Sequence, residues 1–214
     1  SQSLVDSLCD YLRNQQSDQG AWKSQTYALL GSGQALTPFV LSALLDADSK
    51  FAKSAMAKSA LSWMTSQLDQ GVLGVADPEV LEYPVFASAF ALHCFQQMNA
   101  NDAAVVSLRR YLIREQFSET RSFSKSDSAY GGWGFGGTQP PGQTGHMDLA
   151  HTRWALAALR TTDRRSLSDD QVSLMPNFER DQIDSNAQHF LRLMQKHPSE
   201  KRPHPGASSA ANLD

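Results

Sequence analysis

Gly131-Gly132-Trp133-Gly134-Phe135-Gly136-Gly137, with the apolar run Met147 to Leu159 behind it, is the clearest copy of a unit that recurs along this chain. The unit is an aromatic or apolar pair, three residues, a Gln, a short gap, and then Gly-x-Trp or Gly-x-Leu. Tyr11-Leu12 leads to Gln16, Gly20 and Trp22. Ser62-Trp63 leads to Gln67, Gly71 and Leu73. Tyr111-Leu112 leads to Gln116 and, beyond an interruption, to Gly131 and Trp133. Phe190-Leu191 leads to Gln195. The first three Gln residues stand about 50 positions apart, which leaves room for two helices in each repeat.

Spacing predicts both helices. Leu4, Leu8, Tyr11 and Leu12 recur at three to four residues and share one helix face. Phe51, Ala55, Ala60, Trp63 and Met64 form a second such stretch. Val105, Leu108, Tyr111 and Leu112 form a third, with Asn101 or Asp102 as its cap. Ala187, Phe190, Leu191 and Met194 form a fourth, with Ser185 as its cap. Each ends at its Gln and is broken by the Gly that follows. Between them lie Pro38 to Ala47, Pro84 to Met98 and Asp148 to Leu159, which are apolar nearly all round and must be covered on all sides. Aligned at Pro38, Pro84 and Asp148, these carry a hydroxyl four residues on, at Ser42, Ser88 and Thr152. Two residues further stand Leu44, Phe90 and Trp154. The expected fold is therefore all-α, with αα-hairpins forming a buried inner layer and an amphipathic outer one. The repeats cover residues 3–47, 50–98, 101–160 and, incompletely, 181–196, all in one domain over 1–196. Phe117 to Tyr130 reads as an exposed polar insertion, and Thr161 to Arg180 as a charged connector or lid. Residues 197–214 read as a loop or disordered tail, so the chain reads as stopping in mid-repeat, a truncation point.

Composition narrows the classes. A chain of 214 residues with 41% hydrophobic and 19% charged residues can bury a sizeable core. A net charge of −3 gives no general attraction to nucleic acid. No apolar run reaches the length of a transmembrane segment. The chain starts at Ser1 without a Met, which reads as a processed or engineered end and leaves the compartment open. Cys9 and Cys94 lie in separate apolar patterns and read as two buried free thiols.

With these residues quoted, a family can be named. Gln16-Gly20-Trp22 resembles the QW motif of squalene and oxidosqualene cyclases. Gly131 to Phe135 with Asp148-Leu149-Ala150-His151-Thr152 and Ala155-Leu156 is similar to the repeat shared by those terpenoid cyclases and protein prenyltransferase β subunits. The resemblance implies an α/α toroid, with rings of inner and outer helices around an apolar cavity. It also implies that Gln16, Gly20, Trp22, Gln67, Gly71, Gln116, Gly131, Trp133 and Gln195 are structural, the Gln amide stapling neighbouring backbone and the Trp stacking on it. Toroids of this kind close with five to seven hairpins. Three and a half hairpins call for an arc, a fragment, or a homo-oligomer that completes the ring.

The chemistry expected of that family is incomplete here. A cyclase of this kind uses Asp-x-Asp-Asp. Asp46-Ala47-Asp48-Ser49 lacks the last Asp, and Asp169-Asp170 lies in the connector. A prenyltransferase holds zinc through Asp-x-Cys and a later Asp-x-x-His-Thr. Only the second is matched, by Asp148 and His151, while Pro84-Val85-Phe86 stands where the first should be. Asp148 and His151 are thus weak metal candidates, and the preferred roles are an N-cap for Asp148 and a packing or cavity-lining role for His151. His93-Cys94 is no nucleophile pair, because adjacent helix residues diverge. Asp77, Glu79 and Glu82 read as a capped loop before Pro84 rather than paired acids. The glycine run lacks the Lys-Ser/Thr of a phosphate loop. No catalytic residue and no cofactor is assigned. The cavity candidates are Phe39, Phe86, Phe90, His151 and Trp154, and the distinctive local features are His151, Trp154 and the Pro140-Pro141 loop. The expected function is binding of an isoprenoid-like small molecule or a protein partner in a concave face. The alternative is part of a cyclase-like or prenyltransferase-like enzyme whose acid or zinc ligands lie outside this chain.

Overall fold

The computed structural model describes residues 3–77, 79–136, 147–161 and 177–195. The Pro140-Pro141 loop, most of the 161–180 connector and the 197–214 tail lie outside these residues. Seven α-helices follow one another among the described residues: α1 Leu4–Gln15, α2 Leu36–Ala47, α3 Ala55–Gln67, α4 Pro84–Gln97, α5 Asp102–Arg114, α6 Leu149–Thr161 and α7 Asn177–Leu193. Isolated β-bridges join Asp69 with Val72 and Gly134 with Met147. The fold class is all-α. The chain divides into two compact units, residues 1–111 and 112–214, with the division inside α5. No described helix is long and apolar enough to cross a membrane.

Local chemistry accounts for the helix starts. Ser3 and Asp6 form a reciprocal capping box on α1, and Ser54 Oγ accepts from Ala57 N at the head of α3. Asn101 Oδ1 accepts from Ala104 N at the head of α5, so Asn101 is the cap. Each such cap contributes about 1 kcal/mol. Pro84 opens α4, where its missing N–H costs no intrahelical bond. Pro38 does not open α2. The helix starts two residues earlier, and Pro38 sits in the first turn, where N–H groups still lack partners. Phe51 belongs to a separate 3-10 turn, Ser49–Lys53, ahead of α3. Ser185 is not a cap: α7 begins at Asn177, so Ser185 lies well inside it.

In the first unit α2 packs most extensively on α4 and also against α3. Burial of α4 extends nearly all round, from Val85 to Phe95. In the second unit α6 packs on α7. The amphipathic α1 is different, with Leu4, Leu8 and Tyr11 all exposed. The Phe117–Tyr130 insertion is not simply an exposed loop. Phe117, Phe123 and Tyr130 are buried together in a small core of their own, against Ala129 and Met147. Tyr130 Oη donates to Glu119 Oε1 and lies 2.9 Å from Asn186 Oδ1 on α7. Burial first, then the Glu119 hydrogen bond, push its phenol up to about 12.

Candidate functional site

The repeated turn has one geometry in two of its copies. Gln16 Nε2 donates to Gly20 O at 2.8 Å and to Met56 O of α3 at 3.0 Å. Gln116 Nε2 donates to Gly131 O and to Ile183 O of α7, both at 3.0 Å. The indole Nε1 of Trp22 donates to Leu12 O, and that of Trp133 to Leu112 O. In the first copy the turn is closed by Ser17 N to Ala21 O, and in the third by Phe117 N to Gly132 O. The insertion is thus a long excursion from a conserved neck geometry. The glycine of each copy is pressed against a following helix: Gly20 on Ser59 of α3, Gly71 on Ser107 of α5 and Gly131 on Asn186 of α7.

The second copy departs from the expected pattern. Its turn is closed by Asp69 N to Val72 O, which places Leu68, not Gln67, at the position of Gln16 and Gln116. Gln67 remains on α3, where its amide donates to Ser66 Oγ. Leu68 has no amide, so this copy has neither of the Gln bonds to backbone. Gln195 N donates to Arg192 O, as Gln16 N does to Arg13 O, so Gln195 occupies the matching helix end.

Helices α2, α4 and α6 also shift register. Trp22 N donates to Thr37 Oγ1, Leu73 N to Ser88 Oγ and Trp133 N to Thr152 Oγ1. The first hydroxyl is therefore Thr37. Ser42, expected there, bonds Phe39 O within its own helix. Two residues beyond each hydroxyl stand Phe39, Phe90 and Trp154, so Phe39 replaces the expected Leu44. Helices α2, α4 and α6 each carry an aromatic residue at one repeat position.

In the first unit these aromatics form a row. Phe39 meets Phe90 edge to face at 5.3 Å, Phe90 stacks on Phe86 at 6.0 Å, and Phe86 meets Tyr83 at 6.3 Å. Tyr83, Phe86 and Phe90 share one face of α4 and its start. Phe90 is buried, whereas Phe39 is 51% exposed, so the row has an open end. Sequence reasoning missed Tyr83. Its signal was its place just before Pro84. Tyr83 adopts φ 46°, the left-handed region that an aromatic residue seldom occupies. Two buried side chains hold the loops leading into α2 and α4 together. Gln34 Oε1 accepts from Gly74 N and Val75 N, and Glu82 Oε1 accepts from Ser32 N at 2.5 Å. Glu82 is thus a loop tie. Asp77 and Glu79 are exposed, and Asp77 Oδ1 caps Glu79 N.

The remaining candidates separate. His93 Nε2 lies 2.9 Å from Asp46 Oδ1, while Cys94 Sγ lies 3.5 Å from Pro38 O. The two side chains face different partners. Burial, then the Asp46 charge, raise the Cys94 thiol well above its usual range, which disfavours a thiolate. Cys94 is buried, but Cys9 is only half-buried. In the second unit Asp148 Oδ1 accepts from His151 N at 2.8 Å, so Asp148 is the N-cap of α6. Its Oδ2 lies 2.6 Å from His151 Nδ1. His151 is buried, with the Phe135 ring 6.3 Å away. No group of three or more His, Cys, Asp or Glu side chains suited to a metal occurs among the described residues. Trp154 lies under the Arg153 guanidinium, 5.1 Å from its ring centre.

The chain matches no protein-family model, no curated protein and no solved structure.

Proposed function

We propose that this chain is an arc of an α/α toroid of the terpenoid cyclase and prenyltransferase type. In this reading it binds an apolar, isoprenoid-like ligand along its inner helices. The observation that carries the reading is the repeated aromatic position, held in the first unit by Phe39 and Phe90, each two residues beyond the hydroxyl that anchors a turn. A core position that only needed filling would accept Leu or Ile, whereas this aromatic row gives a ligand broad, rigid apolar faces. The half-exposed Phe39 is the point of entry, and the row through Phe90 and Phe86 is the floor. Binding, rather than turnover, is the activity proposed. Asp148 is occupied as a helix cap, and Glu82 as a loop tie.

Titration with farnesol, followed by intrinsic fluorescence, tests this. Saturable binding is expected, with affinity falling about tenfold, ~1.4 kcal/mol, in Phe39→Ser. The exposure of Phe39 means this change leaves the core intact. Absence of saturable binding, or binding undiminished in Phe39→Ser, contradicts the reading.

A further inference from the structure

The aromatic row of the first unit ends beside an uncompensated carboxylate. Glu82 is only 4% exposed. Its Oε1 accepts from Ser32 N, but its Oε2 is buried and has no hydrogen-bond partner among the described residues. A buried carboxylate oxygen without a partner is costly, and such groups are few in a folded chain. Tying the two loops together does not account for it. A glutamine at this position would offer Ser32 N the same acceptor without a buried charge.

Other features meet at the same place. Tyr83, the next residue, begins the row, with Phe86 at 6.3 Å and Phe90 stacked behind Phe86 at 6.0 Å. The left-handed backbone of Tyr83, φ 46°, is strained for an aromatic residue, and strain of this kind collects at ligand sites. Leu81, Tyr83 and Phe86 are only half-buried, so the chain around the carboxylate meets solvent.

We propose that Glu82, with the rings of Tyr83 and Phe86, is a binding site for the ammonium head of a ligand whose apolar tail lies along the row toward Phe39. A cation meets the carboxylate as counter-charge and hydrogen-bond donor, and it is attracted to the faces of the two rings. A neutral hydroxyl supplies one hydrogen bond and leaves the charge uncompensated. A phosphate or carboxylate head is repelled. The inference rests on the apolar-ligand reading above and adds the charge of the ligand's head.

Calorimetric titration of the full chain with farnesylamine, farnesol and farnesoic acid, which share one tail, tests it. The amine should bind about tenfold tighter than the alcohol, and the acid weakest. Glu82→Gln keeps an acceptor for Ser32 N and should bring the three within about threefold of one another. Phe86→Leu keeps an apolar side chain but removes a ring face, and should lower the preference for the amine about threefold. This second variant and the wild-type ranking decide the matter even where Glu82→Gln fails to fold. An amine that binds no tighter than the alcohol, or a preference that survives Glu82→Gln, overturns this proposal and leaves the apolar-ligand reading standing. Absence of saturable binding by all three overturns both.

Discussion

Trp133→Ala should lower stability by about 3–5 kcal/mol, the cost of emptying a large aromatic site in a packed core. Trp133 is fully buried, and its indole donates to Leu112 O. Its backbone N–H donates to Thr152 Oγ1, which ties the turn to the first turn of α6. The substitution keeps that backbone bond but leaves a cavity and orphans a helix-end carbonyl. Thermal unfolding followed by circular dichroism should show a fall of roughly 10 °C for a chain of this size. Trp154 is the internal control. It is only half-buried, under an arginine, so Trp154→Ala should cost clearly less. Equal losses for the two would show that Trp133 has no special place in the fold.

Gly131→Ala should be nearly as damaging, at about 2–4 kcal/mol. Gly131 has φ +88°, and a Cβ there would overlap the backbone carbonyl of Asn186. The left-handed backbone alone costs an L-residue about 1 kcal/mol or more. The clash adds to it because the neighbour is helix backbone and cannot rotate away. Separation of α7 from the turn would also strain the Gln116 bond to Ile183 O and the contact of Tyr130 with Asn186. Gly31→Ala is the comparison. Gly31 has a right-handed helical backbone that alanine adopts without strain, and its added Cβ meets Ala28 O at 3.1 Å, a tight contact but no overlap, so the loss should be clearly smaller. A Gly131→Ala chain as stable as wild type would mean that the turn does not approach α7 closely.

These effects follow from residues the sequence already marked, and the departures have physical causes. Gln16, Gly20 and Trp22 carry their roles in their spacing, because the turn between Gln16 and Gly20 is three residues of ordinary loop. Asp148 is readable as a cap because it precedes an apolar run. Gln67 misleads because the second turn is one residue shorter, so a leucine slides into the glutamine's place while the spacing to Gly71 still matches. Ser42 misleads for a similar reason. Proline is compatible with the first turn of a helix, so Pro38 does not mark where α2 begins, and the working hydroxyl is Thr37. The insertion after Phe117 hides its core because Phe123 and Tyr130 are scattered among serines without periodicity. The aromatic row was half visible. Phe39, Phe86 and Phe90 are named by type and helix, but the common repeat position of Phe39, Phe90 and Trp154 emerges only from the turn bonds.

The register itself is the central claim, and a paired substitution tests it most directly. Gln16→Ala removes bonds to Gly20 O and Met56 O and should cost about 1–2 kcal/mol in denaturant unfolding. Gln67→Ala, equally spaced from its glycine in sequence, should change stability by no more than about 0.5 kcal/mol. That asymmetry is the predicted result. Equal losses at the two positions would contradict the account, because they would restore Gln67 to the role that the structure gives to Leu68.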